Sequence, residues 1–425
     1  MNTTKDNNPD PNTGATRDPY AALRFQDFRL LLAGRFITTL GNQMLSVAIG
    51  WELWLRTHNA FALGLIGLVQ VVPVILLSLP AGHVADHYNR KRIVLITQIL
   101  LAICSLGLAI LSFIQGSLFL VYLCLLGIGI ARAFNDPASS TLLPQTIPPN
   151  MFTSAAMWSS SSWQLASIIG PALAGLIIGL LNSVAVIYIF DALAGVAFLV
   201  LVSLIKGREL ALSRKATTRE SLMEGIHFIR KTKVILAAIT LDMFAVLLGG
   251  AVTLLPVYAT DILKVGPLGL GLMRAAPSIG ALIIVVVLTH LPAFKHAGRT
   301  LLLAVAGFGL ATIVFGLSTS FWLSMLMLIL LGGLDNISVV IRGTLILTRT
   351  PDEMRGRISA VNSIFIGASN ELGGFESGLT AALLGPVLSV VAGGIGTILV
   401  VLAVAKIWPE MRDLKTLDVP EEIAG

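Results

Sequence analysis

The chain has 425 residues, of which 55% are hydrophobic and only 12% charged, and its mean hydropathy is +0.86. A soluble domain has about a quarter of its residues charged, so this composition excludes a water-soluble globular protein and implies one that crosses a membrane repeatedly. The formal charge of +6 is no argument for nucleic-acid binding, because the cations cluster between apolar runs, as membrane topology requires.

Crossing a hydrocarbon core of about 30 Å takes roughly 20 apolar residues at 1.5 Å each. The arm, residues 1–27, is polar and has no apolar core ahead of a small-residue cleavage site, so no cleaved leader is expected. The first six predicted spans are Phe28–Leu55, Phe61–Ala81, Ile93–Ile114, Leu118–Thr141, Ala155–Leu181 and Ser183–Ile205. A basic linker, 206–233, follows, in which Ser221–Ile229 has amphipathic helical spacing and is expected to lie on the membrane surface. Six more spans follow it: Val234–Thr260, Leu268–His290, Thr300–Leu317, Phe321–Thr348, Ile358–Leu384 and Pro386–Ile407, with a tail at 408–425. The fifth and eleventh are rich in Ser, Gly and Asn, polar where a pore would be.

The expected fold is therefore an all-α polytopic membrane protein of twelve transmembrane helices. Gly67–Pro73 lines up with Gly271–Pro277, Pro149-Asn150 with Pro351-Asp352, and Gly175–Gly179 with Gly374–Gly378, all at separations of roughly 200 residues. Such a repeat implies two pseudo-symmetric six-helix bundles, 28–205 and 234–407. Most Lys and Arg fall in alternate segments, whereas the intervening loops hold only Arg56 and Lys264. By the positive-inside rule both termini are cytoplasmic, which in a bacterium means a multi-pass protein of the inner membrane. Cys104 and Cys124 lie inside spans and are read as packing residues, with neither disulfide nor metal implied.

Between the second and third spans stands Gly82-His83-Val84-Ala85-Asp86-His87-Tyr88-Asn89-Arg90-Lys91-Arg92. It resembles the loop signature of the major facilitator superfamily, G-x-x-x-D-(R/K)-x-G-(R/K)-(R/K), and the twelve spans and half-chain repeat fit as well. Gly82, Asp86, Asn89, Arg90, Lys91 and Arg92 are then the gating-loop positions. His87 stands where a cation is usual and Asn89 where Gly is usual; Asn89 is expected to supply the left-handed turn that Gly normally makes. Phe28-Arg29 with Gly34-Arg35, Leu254-Leu255-Pro256, and Pro351 to Arg357 resemble the drug and siderophore exporters of the enterobactin and macrolide type. Gly170-Pro171-Ala172-Leu173-Ala174-Gly175 is similar to the antiporter signature G-P-x-x-G-G, with Ala174 replacing one Gly. Physically, such a run permits close helix packing and a bend.

A charge at the bilayer centre costs about 3 kcal/mol or more, so each should face a partner or a wet cavity. Arg132 and Asp136 are four apart on one helix face and are read as an inner-gate ion pair. The family's fourth helix often carries an arginine implicated in proton transfer, which keeps Arg132 a cavity candidate. Asp335 and Arg342 share a face but are separated by about two turns, leaving room for substrate or for a partner from another helix. Asp242 lies about 12 Å into the seventh span. Arg274 aligns with Gln70 of the first half and is a second cavity candidate. Asn42, where relatives often have an acid, and Gln43 are expected to line the cavity without coupling protons. Arg35, Arg56, Glu52 and Asp261 sit near span ends, where long side chains snorkel, and are set aside.

Two glutamates in the eleventh span complete the inventory. Glu371 follows Ser369 and Asn370 about 20 Å into its span, a place suited to a carboxylate that takes up and releases a proton in each cycle. Glu376 lies about 140° further round the helix, inside a glycine-flanked stretch suited to a helix seam. Proton coupling is accordingly assigned to Glu371, Asp242 and Asp335, and the substrate cavity to Arg132, Arg342, Asn370, Arg274, Asn42 and Gln43. The function expected is secondary export of a small amphipathic compound, a drug or siderophore, by proton antiport, with a proton-coupled nutrient symporter as the alternative. A membrane enzyme lacks its motifs here: there is no H-E-x-x-H, G-x-S-x-G or G-x-x-x-x-G-K-(S/T). The partners implied are substrate, protons and lipid, for a monomer without a cofactor or metal.

Overall fold

The computed structural model describes residues 20–206, 219–292 and 294–417, without the side chains of 79, 86, 219–222, 352 and 360. Among the described residues every regular element is helical. The long helices are α1 (Gln26–Thr57), α2 (Ala60–His87), α3 (Arg90–Phe113), α4 (Leu118–Ser140), α5 (Phe152–Leu181), α6 (Ala185–Leu204), α7 (Lys233–Leu248), α8 (Gly266–His290), α9 (Ala297–Leu317), α10 (Phe321–Thr348), α11 (Asp352–Leu384) and α12 (Pro386–Ile407). Among the described residues ten helices are long and apolar enough to cross a membrane, α7 together with its continuation to Ile262 counting as one. Helices α1 and α11 are equally long, but they carry more polar and charged side chains and fall outside that set.

Local chemistry sets the helix ends. Asn59 caps α2 by accepting from Phe61 N at 2.9 Å, and Ser117 caps α4 by accepting from Phe119 N at 3.3 Å, each satisfying a backbone donor the helix leaves open. His58 and Asn182 close α1 and α5 in the left-handed conformation. α7 breaks at Gly249-Gly250 and continues as a 3₁₀ turn, Ala251–Leu254, and a π turn, Tyr258–Ile262. The break fits its neighbours: a β-carbon on Gly250 would fall 2.6 Å from the Gly373 carbonyl oxygen of α11. The seventh span, expected as one run over Val234–Thr260, is thus an interrupted helix, with Pro256 among the residues past the break.

Helix packing repeats with a period of six. α1 packs on α5 and α6, α2 on α4, and α3 on α4 and α6; correspondingly α7 packs on α11 and α12, α8 on α10, and α9 on α10 and α12. The two sets meet where α2 crosses α11 and α5 crosses α8. These crossings use the residues that repeat in sequence. A β-carbon on Gly67 would lie 2.6 Å from the Glu371 carbonyl oxygen, and one on Gly175 would lie 2.9 Å from Gly271 Cα, so both seams bring backbones together through small residues. The antiporter-like run packs both ways. Gly170 abuts Gln43 and Leu40 of α1, while Pro171 and Gly175 abut Gly271 of α8.

The seams are closed toward the end remote from the termini. There Trp54 Nε1 donates to Thr260 Oγ1 at 2.7 Å, joining α1 to the continuation of α7. Toward the terminus-bearing end, a β-carbon on Gly82 of α2, or on Gly356 or Gly367 of α11, would meet nothing within 4 Å.

Two expectations about this end are corrected. Gly82 to His87 is the last part of α2, not a loop, and only Tyr88 and Asn89 separate it from α3. Asn89 is extended, at φ −62° and ψ 111°, and its side chain accepts from Arg92 N at 3.3 Å. Its polar group is used to cap α3, so no left-handed turn is needed. The linker helix, Arg219–Lys231, does not rest on a lipid surface by its apolar face alone: Ile226, Phe228 and Ile229 join a cluster with Ile358 and Val361 of α11, and Glu224 pairs with Arg357.

Candidate functional site

Between the two helix sets lies a cavity of about 630 Å³, walled by α1, α2, α4, α5, the break of α7, α8, α9, α10 and α11. Of the expected residues it collects Asn42, Gln43, Arg132, Arg274, Asp335, Asn370 and Glu371. They come from five different helices, and the crossings of α2 with α11 and α5 with α8 set their spacing.

The cations are tethered at their tips. Arg132 donates from Nη1 to Gln70 Oε1 at 3.0 Å and from Nη2 to Asn42 Oδ1 at 3.3 Å. Arg274 donates from Nη2 to Ser46 Oγ at 3.0 Å and from Nη1 to the Val252 carbonyl at 3.4 Å. Gln43 donates to Ser167 Oγ at 2.9 Å, and Asn370 to the Ile366 carbonyl of its own helix at 3.0 Å. Glu371 makes no hydrogen bond or ion pair with a described residue, yet it lies in the field of both guanidiniums. Two arginines oriented by neutral amides and hydroxyls around an unpaired carboxylate form a site able to exchange a proton, or an ionic substrate group, against fixed charge.

Two expected arrangements differ in the structure. Arg342 does not line the cavity: it is 3% exposed and ion-paired with Asp242, joining α10 to α7. Asp335, seven residues earlier on α10, keeps its place on the cavity wall and on a small pocket beside Asp242. Arg132 and Asp136 do not pair, because the guanidinium turns toward Gln70 and Asn42. Glu376 lies outside the cavity, between Phe375 and the glycine contact of Gly378 with Gly64, so the two glutamates of α11 are separated as their angle around the helix requires.

In the motif carried by α2 and α3, His83 and His87 stack at a centroid distance of 4.0 Å, with His87 Nδ1 2.9 Å from the His83 carbonyl oxygen. Arg90 reaches the Ala85 carbonyl at 3.4 Å, and Lys91 bonds the Ser203 and Ile205 carbonyls at the end of α6. The side chain of Asp86 lies outside the described residues.

Residues set aside as interfacial have specific partners. Glu52 is 8% exposed; it pairs with Arg56 at 3.2 Å and accepts from Tyr188 OH at 2.7 Å. Arg35 donates to the Ser139 carbonyl, tying α1 to α4. Asp191 of α6 is absent from the expected set altogether. Its Oδ2 accepts from Ser105 Oγ at 2.6 Å, and its Oδ1 occupies space left by Gly41, where a β-carbon would come within 2.7 Å. An aspartate well inside a 20-residue apolar helix was the available signal.

A family profile described as transmembrane secretion effector matches residues 17–421. The chain is 25% identical over 393 residues to the enterobactin exporter EntS of Escherichia coli K12, covering 91% of this chain and 93% of that protein. The same exporter from Shigella boydii serotype 18 is 25% identical over 390 residues, with 91% and 92% covered. Among solved structures, a POT family transporter in complex with 5-aminolevulinic acid superposes with a TM-score of 0.71 at 14% identity over 91% of this chain and 97% of that one. A bacterial homologue of the human lysosomal transporter Spinster gives 0.69 at 13% identity, over 94% and 99%. At such identities these structures speak to the fold alone.

Proposed function

Since the chain belongs to the transmembrane secretion effector family of the major facilitator superfamily, and is a multi-pass transporter rather than an enzyme, we propose that it exports a small amphipathic compound by proton antiport. In this reading all twelve long helices span the bacterial cell membrane as two six-helix halves, 28–205 and 234–407, joined by a cytoplasmic linker. The six-helix period of the packing supports it. With the basic segments inside, the closed seams face outward and the cavity opens to the cytoplasm, one of the two states that alternating access requires.

The observation that carries the reading is Glu371. It is a carboxylate without an ion-pair partner among the described residues, on the wall of a cavity between the halves, at the point where Gly67 lets α2 touch α11. A change in its charge acts both on substrate in the cavity and on the α2–α11 seam. One carboxylate is sufficient energetically. Exporting a neutral solute against a hundredfold gradient costs about 2.7 kcal/mol, while one proton falling through 100 mV supplies about 2.3 kcal/mol and each pH unit about 1.4 kcal/mol. A siderophore-type or drug-type substrate fits the likeness to the enterobactin exporters.

The test is uptake into energised inverted vesicles, with an export-deficient host grown on antibiotics and iron chelators to find the substrate. Uncoupler-sensitive uptake into the vesicles, lost in Glu371→Gln, is the expected result. Uncoupler-sensitive transport that persists in Glu371→Gln sinks the proton assignment, and accumulation into whole cells in place of efflux points to a nutrient symporter.

A further inference from the structure

A second chamber, about 650 Å³, lies wholly within the first six helices. It is walled by α1, α3, α4, α5 and Phe198 of α6, on the terminus-bearing side of the central cavity, and it touches that cavity only at Asn42, Arg132 and Trp163. The serine run of α5 supplies its wall: Ser159, Ser160 and Ser162 all face it. Three of the four successive serines at 159–162 thus turn hydroxyls toward a wet or ligand-filled space, which suits polar groups on a membrane helix.

The two spaces differ in charge. The central cavity balances Arg132 and Arg274 against Asp335 and Glu371, whereas the chamber sets Arg35 and Arg132 against Asp136 alone. Arg132 lines both spaces, and counted with the chamber it leaves there a formal excess of one positive charge. Arg35 is anchored to the Ser139 backbone and Arg132 to Gln70 and Asn42, so neither cation forms an ion pair with a carboxylate among the described residues. Trp163, 56% exposed, presents an indole at the junction. Fixed guanidiniums, clustered hydroxyls and one aromatic face are the chemistry that binds an aromatic acid bearing hydroxyl groups.

We propose that this chamber is a second substrate subsite, taking hydroxylated aromatic acids, from which substrate passes Trp163 and Arg132 into the central cavity. It deepens the transport reading by naming a substrate class, but it depends on neither the direction of transport nor proton coupling.

The test is equilibrium dialysis of radiolabelled salicylate against the purified full-length chain in detergent. Two molecules bound per chain are expected. Ser160→Phe, which fills the chamber from an exposed position, is expected to leave one; Asn370→Phe, which intrudes only on the central cavity, is also expected to leave one, and the double variant none. A melting temperature for Ser160→Phe equal to the parent's shows that the fold is intact. Where it falls, Ser159→Ala with Ser162→Ala is used instead, with an expected loss of about tenfold in affinity at one site. One molecule or none bound to the parent, or two still bound to Ser160→Phe, or no loss at either site in the double serine variant when that stands in, overturns the proposal, whatever the efflux assays show.

Discussion

Asp242 with Arg342, between α7 and α10, and Glu371 with Arg132 and Arg274, around the central cavity, meet the same cost of charge in a membrane in opposite ways. The first pair is closed on itself, with side chains 4% and 8% exposed. In the second group each arginine is held by neutral amides, hydroxyls or carbonyls, and the carboxylate is left without a partner. Position along the sequence does not distinguish them, since each acid lies deep in its span. The difference is whether a cation on a neighbouring helix lies within reach, and this separates a structural charge from one able to change state during transport.

The sharpest way to break this contrast is Asp242→Ala. It strands a buried guanidinium and should cost about 3–5 kcal/mol, read as a lowered melting temperature in detergent, whereas Asp242→Leu combined with Arg342→Met should regain most of the loss. If the single substitution leaves melting unchanged, the pair is not structural. Next is the seam that frames the cavity. Gly271→Val puts methyl groups against Gly175, where even a β-carbon would come 2.9 Å from Cα. Overpacking of this kind costs about 1–3 kcal/mol and should raise the accessibility of cysteines placed at the far end of α5; unaltered accessibility means that the seam is looser than described.

Glu371→Gln should move stability by less than about 1 kcal/mol, because no ion pair is lost, while abolishing uncoupler-sensitive transport. Glu376→Gln should leave transport intact, and the reverse pattern would exchange the roles of the two glutamates. The smallest effect belongs to the solvent-exposed pair of Lys233 and Glu410, 2.6 Å apart. The hydrogen bond from Lys233 holds the Glu410 carboxyl below its ordinary range. A depressed folded-state value adds stability above the ordinary carboxylate value and loses it as pH falls through the depressed one. The melting difference between parent and Glu410→Gln should therefore shrink between about pH 5 and pH 3 and stay near zero at high salt.

The helices were legible because spans of about 20 apolar residues have few alternatives in lipid. Phe321–Thr348 and Pro386–Ile407 end where hydropathy says they end. The ends that shifted are polar ones. α2 runs on through Gly82 to His87, and α11 begins at Asp352 instead of Ile358, since backbone hydrogen bonding and caps carry helices past the apolar boundary. Of the candidate site, Asn42, Gln43, Arg132, Arg274, Asp335, Asn370 and Glu371 were legible as costly or polar residues within spans, and all seven face one cavity. Arg342 was misplaced because its partner, Asp242, is a hundred residues away. Spacing within one helix reports only which side chains share a face, and nothing about what the facing helix carries.

The sequence by itself determined an all-helical membrane chain with an internal repeat and a short inventory of charges that must be accommodated, because hydropathy and the price of a buried charge act residue by residue. Tertiary structure alone decided which charges neutralise one another, where α7 breaks, and that a second polar chamber opens behind Arg132. Those outcomes depend on distances between helices remote in sequence, set by where glycines such as Gly67, Gly175 and Gly271 allow backbones to meet.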